Sequence, residues 1–334
     1  MKAVLLKEFG GPEMLEIGEA DKPVPSDDQV SIRVAATSVN RPDIVQRQGH
    51  YPPPKGESEV LGLEVAGVVD EVGAKVTGWK TGDRVMSLVA GGGYAEYAIA
   101  YADHLLAIPD GMSFHEAACV CETYITAHLN VFTLGGLQDG GSVLLHGGGG
   151  GVNTAAIQIC RALTPNARVI VTASPKKIER VRRLGADLVI DYRAQDFAEA
   201  VKDDTKGKGV DVILDHIGGR YLAQNMKVLA VGGTLVIIGV MSGPKAELNL
   251  AMMMVKRQHI IGSVLRSRPV GEKAAIVKRF AEEVVPFLAD RSVVPLIHAV
   301  YPLDQVADAH RLMEEGGHFG KIVLAVDEGL AGAV

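Results

Sequence analysis

The segment Ser142–Arg161, SVLLHGGGGGVNTAAIQICR, decides the fold. It begins with the apolar run Val143–Leu145, which is typical of a buried parallel strand. The glycines Gly147–Gly151 follow, and Thr154 opens a predicted helix with small residues in its first turn. Glycines let a backbone approach a pyrophosphate closely, and the unpaired N–H groups at a helix start bind its charge. This order of strand, glycine turn and helix predicts a dinucleotide site, against the alternative of a merely flexible loop.

The glycine spacing departs from the standard dinucleotide motif. Gly147, Gly150 and Asn153 form G-x-x-G-x-x-N, whereas the standard motif is G-x-G-x-x-G. The third glycine of the standard motif lets helix and strand pack closely. Asn153 stands at that position, so we expect a local adjustment of the backbone there.

Composition limits the class of protein. The 334 residues are enough for about two domains, and 47% hydrophobic with 22% charged residues is ordinary for a soluble globular protein. A net charge of −6 argues against nucleic acid as a partner bound through a broad basic face. Three cysteines give no disulfide framework and indicate a reducing compartment. Because the sequence shows neither a signal peptide nor an apolar run long enough to span a bilayer, we expect a cytoplasmic protein with no membrane partner.

Short strand-like segments separated by glycine or proline turns fill the first part of the chain. This pattern predicts a small, partly open β-barrel. One helical segment, Arg41–Gln48, interrupts it, and the rigid Tyr51–Pro54 follows. The expected strands are Lys2–Leu6, Leu15–Glu19, Gln29–Ser38, Glu64–Val72, Arg84–Leu88 and Tyr94–Ala100.

From Ser142 to Val264, predicted strands and helices alternate, which indicates a doubly wound parallel sheet with its ligand at the carboxyl ends of the strands. The expected strands are Val143–His146, Arg168–Thr172, Leu188–Asp191, Val210–Asp215, Thr234–Gly239 and Ile260–Val264. The expected helices are Thr154–Leu163, Pro175–Leu184, Asp196–Lys202, Tyr221–Ala230 and Leu248–Met254.

The C-terminal part returns to mixed structure. Its last strand-like segment, Gly320–Leu324, is expected to pair with the N-terminal barrel, and the small residues beyond Asp327 predict a frayed tail. We therefore expect an α/β protein of two domains. The barrel-like catalytic domain comprises residues 1–122 and 267–334, and the dinucleotide-binding domain comprises residues 123–266.

The second strand of the predicted sheet favours NADPH over NADH. A site that prefers NAD usually has an acidic residue at the end of that strand. Here the strand Arg168–Thr172 continues as Ala173-Ser174-Pro175-Lys176-Lys177, without an acid. The hydroxyl of Ser174 and the ammonium of Lys177 at a helix start suit a 2′-phosphate, although such lysine pairs are more often a solvated helix face. Tyr192, after the third strand, is placed either to cover the adenine or to pack.

Several segments along the chain match one known family. They are Val39–Asp43, Arg47–Gly49, Tyr51, Leu61–Glu64, Gly82–Val85, the glycine loop, Leu214–Gly219 and Gly320–Val323. With these segments the chain resembles the medium-chain dehydrogenase/reductase superfamily, and within it the zinc-free quinone oxidoreductases related to zeta-crystallin, over nearly its whole length. The resemblance implies a GroES-like barrel as the catalytic domain, a Rossmann domain for the cofactor, hydride transfer in the cleft between them, and generally a homodimer joined through sheet edges.

Residue chemistry argues against a metal. Zinc alcohol dehydrogenases of similar layout have a cysteine and a histidine at the positions of Asn40 and Leu63, and an amide is a poor zinc ligand while leucine is none. Cys119 and Cys121 have the wrong spacing for a zinc knuckle. Without a Lewis acid, oxidation of an alcohol is hard. The acceptor is therefore expected to be already electrophilic, either a quinone or an activated C=C.

The family match supplies the catalytic candidates. Asn40 and Tyr51 are expected to line the cleft from the barrel side, with Tyr51 either donating its phenol proton or capping the pocket. Thr126 matches a position beside the nicotinamide, although a helical threonine is usually just packed. His146 is expected to be a satisfied histidine beside the phosphate loop. The candidate cofactor residues are Gly147, Gly148, Gly150, Gly151, Val152, Ser174, Lys177, Tyr192, Ile217, Val240, Met241, Leu265 and Ser267.

Three functions remain open at this point. The first is an NADPH-dependent quinone oxidoreductase, and the second is an NADPH-dependent reductase of α,β-unsaturated carbonyls that uses the same cleft. The third is a low-turnover NADPH-binding structural or RNA-associating protein, a role known among relatives of zeta-crystallin. The acidic net charge counts against the third.

Overall fold

The structure, a computed structural model, describes residues 1–331 of the chain. Their contacts divide the chain into two compact units. The first unit contains residues 1–125 and the chain from Leu265 onward, and the second contains Thr126–Val264. The domain boundaries expected from sequence, after residues 122 and 266, lie three and two residues from these (125 − 122 and 266 − 264).

Short strands dominate the first part of the chain. Two differ from expectation: one begins at Tyr97 rather than Tyr94, and a three-residue strand was not expected at all. Tyr94 lies in the loop before the strand that begins at Tyr97. It is fully buried there, and its N–H donates to the Leu61 carbonyl. In chain order the elements are β1 (Lys2–Leu6), β2 (Leu15–Glu19), β3 (Gln29–Val39), α1 (Arg41–Arg47), β4 (Glu64–Val72), β5 (Arg84–Leu88), β6 (Tyr97–Tyr101) and β7 (Leu105–Ala107).

A helical segment joins the barrel strands to the second unit. Helices α2 (Phe114–Ala117) and α3 (Cys121–His128) are followed by a π-helical turn over Leu129–Leu134. Ser113 caps α2, because its hydroxyl accepts a hydrogen bond from the N–H of Glu116. Among residues 1–331, none of the helices is long and apolar enough to cross a membrane.

Strands and helices alternate through the second unit, as predicted. Neighbouring strands all pair in parallel, in the order β10-β9-β8-β11-β12-β13. The order reverses between β8 and β11, and in sheets of this kind the ligand crevice lies at such a switch point. The elements are β8 (Ser142–His146), α4 (Gly151–Leu163), β9 (Arg168–Ala173), α5 (Ile178–Arg183), β10 (Leu188–Asp191), α6 (Phe197–Asp204), β11 (Val210–Asp215), α7 (Leu222–Val228), β12 (Leu229–Ile237), α8 (Leu250–Lys256) and β13 (His259–Gly262).

The junction of α7 and β12 differs from the prediction. A helix to Ala230 and a strand from Thr234 were expected, whereas β12 already begins at Leu229. Its register against β11 shifts, with Val210 opposite Leu229 but Val212 opposite Thr234. The extra residues of β12 form a bulge, in which Gly232 has a φ of +77°. Because glycines interrupt the apolar pattern at the bulge, the sequence did not indicate that the strand begins before it.

The C-terminal part of the chain completes the first unit. Strand β15 pairs antiparallel with β3, with Ile322 opposite Val39, which confirms the predicted return to the N-terminal sheet. The tail past Asp327, expected to be frayed, forms a short helix, and residues 332–334 lie outside the described part. The elements are α9 (Val270–Glu283), α10 (Val285–Ala289), β14 (Ile297–Pro302), α11 (Val306–Glu315), β15 (Lys321–Ala325) and α12 (Glu328–Ala331).

Strand β3 is the centre of the first unit. The main sheet has the order β14-β15-β3-β4-β5-β7, and β6 also pairs with β3. Val30, Ile32 and Val34 of β3 are fully buried in one core cluster, and Val39 is fully buried in another. Each such side chain stabilises the fold by about 1.5–3 kcal/mol through burial. Strand β3 therefore fixes the position of Asn40, which directly follows it.

Gly148 is a position of the glycine loop at which a side chain does not fit. A Cβ there would lie 2.3 Å from the side chain of Val171 and 3.1 Å from that of Val181, and both valines are fully buried. We expect Gly148→Ala to lower the free energy of unfolding by about 1–3 kcal/mol, as overpacking of a core does, measured by urea denaturation. At Gly150 the nearest contact of a Cβ would be an ordinary 3.7 Å, so Gly150→Ala is the matched control, with an expected loss of at most about 1 kcal/mol. Equal losses in the two variants would contradict this explanation.

Candidate functional site

The glycine loop is held against the end of β9. The N–H groups of Gly147 and Gly148 both donate to the Thr172 carbonyl, at 3.0 and 2.9 Å, and Gly147 has a φ of +79°. Helix α4 begins at Gly151, three residues earlier than predicted. Gly150 at the N-cap has no side chain to bond the N–H groups of the first turn, and that turn contains no acidic residue. The loop and helix start therefore fit a bound anion such as a pyrophosphate.

Asn153 makes the adjustment expected at the third position of the motif. Its Nδ2 donates to the His146 carbonyl and, at 3.2 Å, to the Gly147 carbonyl. The side chain is buried, and its Oδ1 has no hydrogen-bond partner among residues 1–331. The amide thus ties the first turn of α4 to the end of β8, in place of the close contact that a glycine would allow.

His146 is a structural histidine, as predicted. Its Nε2 lies 2.7 Å from Oδ1 of Asn225 and its Nδ1 lies 3.2 Å from Oγ1 of Thr172. Burial lowers the pKa of His146 to about 3, so the imidazole stays neutral at physiological pH. Asn225 also donates to Asp215, whose Oδ1 accepts the N–H of Ile217 at 2.6 Å. These hydrogen bonds connect the glycine loop to the turn after β11.

The turns after β11 and β12 lie together. The N–H of Met241 donates to the His216 carbonyl at 3.1 Å, and the N–H of Ser242 donates to the Ile217 carbonyl at 2.7 Å. Val240 and Met241 are 49% and 59% exposed. Three predicted cofactor residues, Ile217, Val240 and Met241, are therefore brought together at the carboxyl ends of neighbouring strands, where they offer apolar surface.

Lys177 is the cation beside the glycine loop. Its side chain lies directly against Gly149. A Cβ added to Gly149 would be only 2.3 Å from Cδ and 3.2 Å from Nζ of Lys177. Burial, and secondarily the charge of Arg180, lowers the pKa of Lys177. Ser174 stands at the N-cap position of the short 3-10 turn that carries this lysine, and its side chain makes no capping hydrogen bond there. Tyr192 is 40% exposed after β10.

Asn40 belongs to a buried polar network in the first unit. Its Nδ2 donates to Oε1 of Glu64 at 2.9 Å, and Nζ of Lys321 donates to its Oδ1 at 2.5 Å. Lys321 and Glu64 also form an ion pair at 3.0 Å, with side chains 4% and 0% exposed. Removal of one partner of such a pair leaves an uncompensated buried charge and costs about 3–5 kcal/mol. Both ends of the Asn40 amide are thus engaged by protein groups.

Asp43 and Arg47 of α1 have different partners. Arg47 bonds Glu314 at 2.6 Å, whereas Asp43 accepts the Tyr94 hydroxyl at 3.0 Å and the N–H of Asn40 at 2.8 Å. Burial raises the pKa of Asp43 to about 6, against the opposing effect of these hydrogen bonds. Both residues stabilise α1 and the loop around it.

Tyr51 is half-buried under the guanidinium of Arg266. The guanidinium carbon lies 5.2 Å from the ring centroid. Nη1 of Arg266 donates to the Tyr51 carbonyl at 3.3 Å, and Nε donates to the Ala90 carbonyl at 2.7 Å. Burial raises the pKa of the Tyr51 phenol, and the charge of Arg266 opposes that shift. Of the neighbouring cofactor candidates, Leu265 is buried and Ser267 is exposed, and both belong to the first unit.

Thr126 and Glu122 lie in α3. Thr126, the first residue of the second unit, is half-buried, and its carbonyl accepts Nδ2 of Asn130 at 2.7 Å. Sequence reasoning did not select Glu122. A signal for Glu122 was available, because it is the one charged residue in the otherwise uncharged Ala117–Thr126 segment.

Between residues 1 and 331, no group of three or more His, Cys, Asp or Glu side chains is placed to hold a metal ion. Cys119, Cys121 and Cys160 are free and buried. Burial raises the pKa of each of these thiols.

Comparison with known proteins agrees with this architecture. Residues 26–110 match the alcohol dehydrogenase GroES-like domain, which confirms the predicted barrel type, and residues 184–324 match the zinc-binding dehydrogenase family. A quinone oxidoreductase from Lama guanicoe is 35% identical over 329 residues, which cover 97% of each chain.

Solved structures give the same result. The Escherichia coli quinone oxidoreductase complexed with NADPH has a TM-score of 0.88 at 27% identity, with 98% of this chain and 100% of that chain covered. The CurK enoyl reductase has a TM-score of 0.86 at 29% identity, with 97% and 98% covered. With this fold and these relatives, the chain belongs to the medium-chain dehydrogenase/reductase superfamily, and within it to the quinone oxidoreductases related to zeta-crystallin.

Proposed function

We propose that this oxidoreductase is an NADPH-dependent quinone reductase that works without a metal. The observation that carries the proposal is the loop Gly147–Gly151, whose backbone is open to a pyrophosphate at the N-terminus of α4. NADPH, when bound, supplies the hydride that reduces the acceptor. The chain supplies the binding groups, their orientation and the hydrogen bonds to the acceptor.

The preference for NADPH rests on the residues after β9. No acid follows this strand to bind ribose hydroxyls, while Lys177 lies across Gly149, where it can pair with a phosphate. The Escherichia coli relative was solved with NADPH, which supports the same assignment. Ser174 and the N–H groups of the following turn are the further candidates for the 2′-phosphate.

The acceptor is proposed to bind beside Tyr51. A quinone carbonyl accepts hydride without a Lewis acid, because conjugation stabilises the resulting anion. Asn40 and Leu63 offer poor zinc ligands, and the Asn40 amide is already bonded to Glu64 and Lys321. Zinc independence is proposed on this residue chemistry. The likeness to the CurK enoyl reductase supports an α,β-unsaturated carbonyl as the second candidate acceptor.

We also propose that the protein is cytoplasmic and forms homodimers. Three free, buried cysteines suit a reducing compartment. Strand β13 is the terminal strand of its sheet, and apolar side chains are exposed near it, with Val264 at 48%, Leu250 at 69% and Met254 at 73%. Pairing of β13 with its copy would cover such an edge.

A panel of acceptors tests the reaction. Purified protein with NADPH should reduce simple ortho- and para-quinones, because their reduction needs no strong acid or metal, and dialysis against a chelator should leave the rate unchanged. NADPH oxidation is followed at 340 nm. Turnover of enals but not of quinones would select the second candidate, and loss of activity on chelation would contradict the metal-free mechanism.

The role of Lys177 is testable by cofactor preference. Lys177→Gln should raise the KM for NADPH about tenfold, because a charge-assisted hydrogen bond is worth about 1.5–3 kcal/mol, and should leave the KM for NADH unchanged. Lys176→Gln is the matched control, since Lys176 is its exposed neighbour. Equal KM values for NADPH in the wild type and in Lys177→Gln would contradict the assignment of the phosphate to Lys177.

A further inference from the structure

The carboxyl group of Glu122 has no hydrogen-bond partner in the described part of the chain. Glu122 stands near the start of α3, where its backbone N–H donates to Oε2 of Glu64 at 2.9 Å. The residue is half-buried, and its carboxyl oxygens make no hydrogen bond with any of residues 1–331. An enclosed but still accessible carboxyl group without a partner is free to bond a ligand.

Tyr51 and Arg266 share the electrostatic environment of Glu122. The charge of Glu122 raises the pKa of Tyr51, after the larger effect of burial, and Arg266 in turn lowers the pKa of Glu122. Arg266 is only 6% exposed, and its Nη2 has no hydrogen-bond partner in the described part of the chain. The phenol, the guanidinium and the carboxyl group therefore interact electrostatically within the first unit. Glu64 places Glu122 beside Asn40, because its Oε2 accepts the N–H of Glu122 and its Oε1 accepts Nδ2 of Asn40, both at 2.9 Å.

The protonation state of Glu122 follows from its surroundings. Burial, and secondarily the charge of Glu64, raises the pKa of Glu122 to about 8, so the carboxyl group is mostly protonated at pH 7. A neutral carboxylic acid can donate a proton, as a general acid must. The other charged or titratable groups that interact with it are Glu64 from β4, Lys321 from β15, Asp43 from α1, Lys273 from α9, Cys121 from α3 itself, Tyr51 and Arg266.

We propose that Glu122 is the catalytic acid that protonates the reduced acceptor, an inference that rests on the proposed function. Two-electron reduction leaves negative charge on an acceptor oxygen. A new O–H bond forms there as the O–H bond of Glu122 breaks, and the carboxylate regains its proton from water after the product leaves. Arg266 stabilises the negative charge during the transfer and positions Tyr51.

Acceptor chemistry sets how much the reaction depends on this acid. The enolate formed from an enone is far more basic than a hydroquinone anion, so its formation gains more from a proton donor. Glu122→Gln should lower kcat at pH 7 about 100-fold with an enone, and by a smaller factor with a quinone, because general acids contribute about 10²–10⁴-fold. The KM for NADPH should stay unchanged. Glu116→Gln is the matched control, since Glu116 pairs with Arg291 outside this cluster.

The pH profile separates this role from a structural one. Wild-type kcat with an enone should fall as pH rises through about 8, because the active form is the protonated one, and this limb should be absent in Glu122→Gln. Two results would overturn the proposal: a wild-type kcat with an enone that does not change from pH 6 to 10, or a kcat of Glu122→Gln equal to that of Glu116→Gln. Neither result would contradict the proposed quinone reduction. If the wild type reduces neither acceptor, the proposed function is wrong, and the catalytic role proposed for Glu122 is wrong as well. If Glu122→Gln does not fold, judged by circular dichroism, the wild-type profile alone decides.

Discussion

The contact between the glycine loop and the end of β9 is the constraint on which the second unit depends. The Thr172 carbonyl accepts the N–H groups of both Gly147 and Gly148, and a Cβ at Gly148 would overlap buried valines. The backbone can approach β9 this closely only without side chains. As a result α4 starts immediately after the loop, and its N–H groups face the place where a pyrophosphate is expected.

In the first unit, the corresponding constraint is the buried pair of Lys321 and Glu64. The pair joins β15, from the C-terminal part of the chain, to β4, from the N-terminal part. The Asn40 amide is hydrogen-bonded to both Lys321 and Glu64. A buried ion pair adds little net stability but is costly to break. Asn40 is engaged in this network, whereas Nη2 of Arg266, which stacks on Tyr51, has no hydrogen-bond partner among residues 1–331.

Local patterns made the fold predictable from sequence, whereas long-range contacts did not. The apolar run of β8 and the glycines after it identify the nucleotide-binding architecture, and the residues after β9 indicate the cofactor preference. The start of β12 was missed because Gly232 and Gly233 interrupt its pattern. The stacking of Arg266 on Tyr51 joins residues 215 positions apart, and no pattern along the chain indicates that contact. The raised pKa of Glu122 likewise depends on neighbours from three elements, β4, β15 and α1, and from the turn after β13.

The account as a whole depends on a phosphorylated nicotinamide cofactor bound by the second unit. Equilibrium titration of the wild-type protein with NADPH and NADH, followed by nicotinamide fluorescence, tests this most directly. The account predicts saturable binding of NADPH and at least about tenfold weaker binding of NADH, because only NADPH carries a 2′-phosphate with which Lys177 can form a charge-assisted hydrogen bond. Absence of binding for both nucleotides, or tighter binding of NADH, would contradict it.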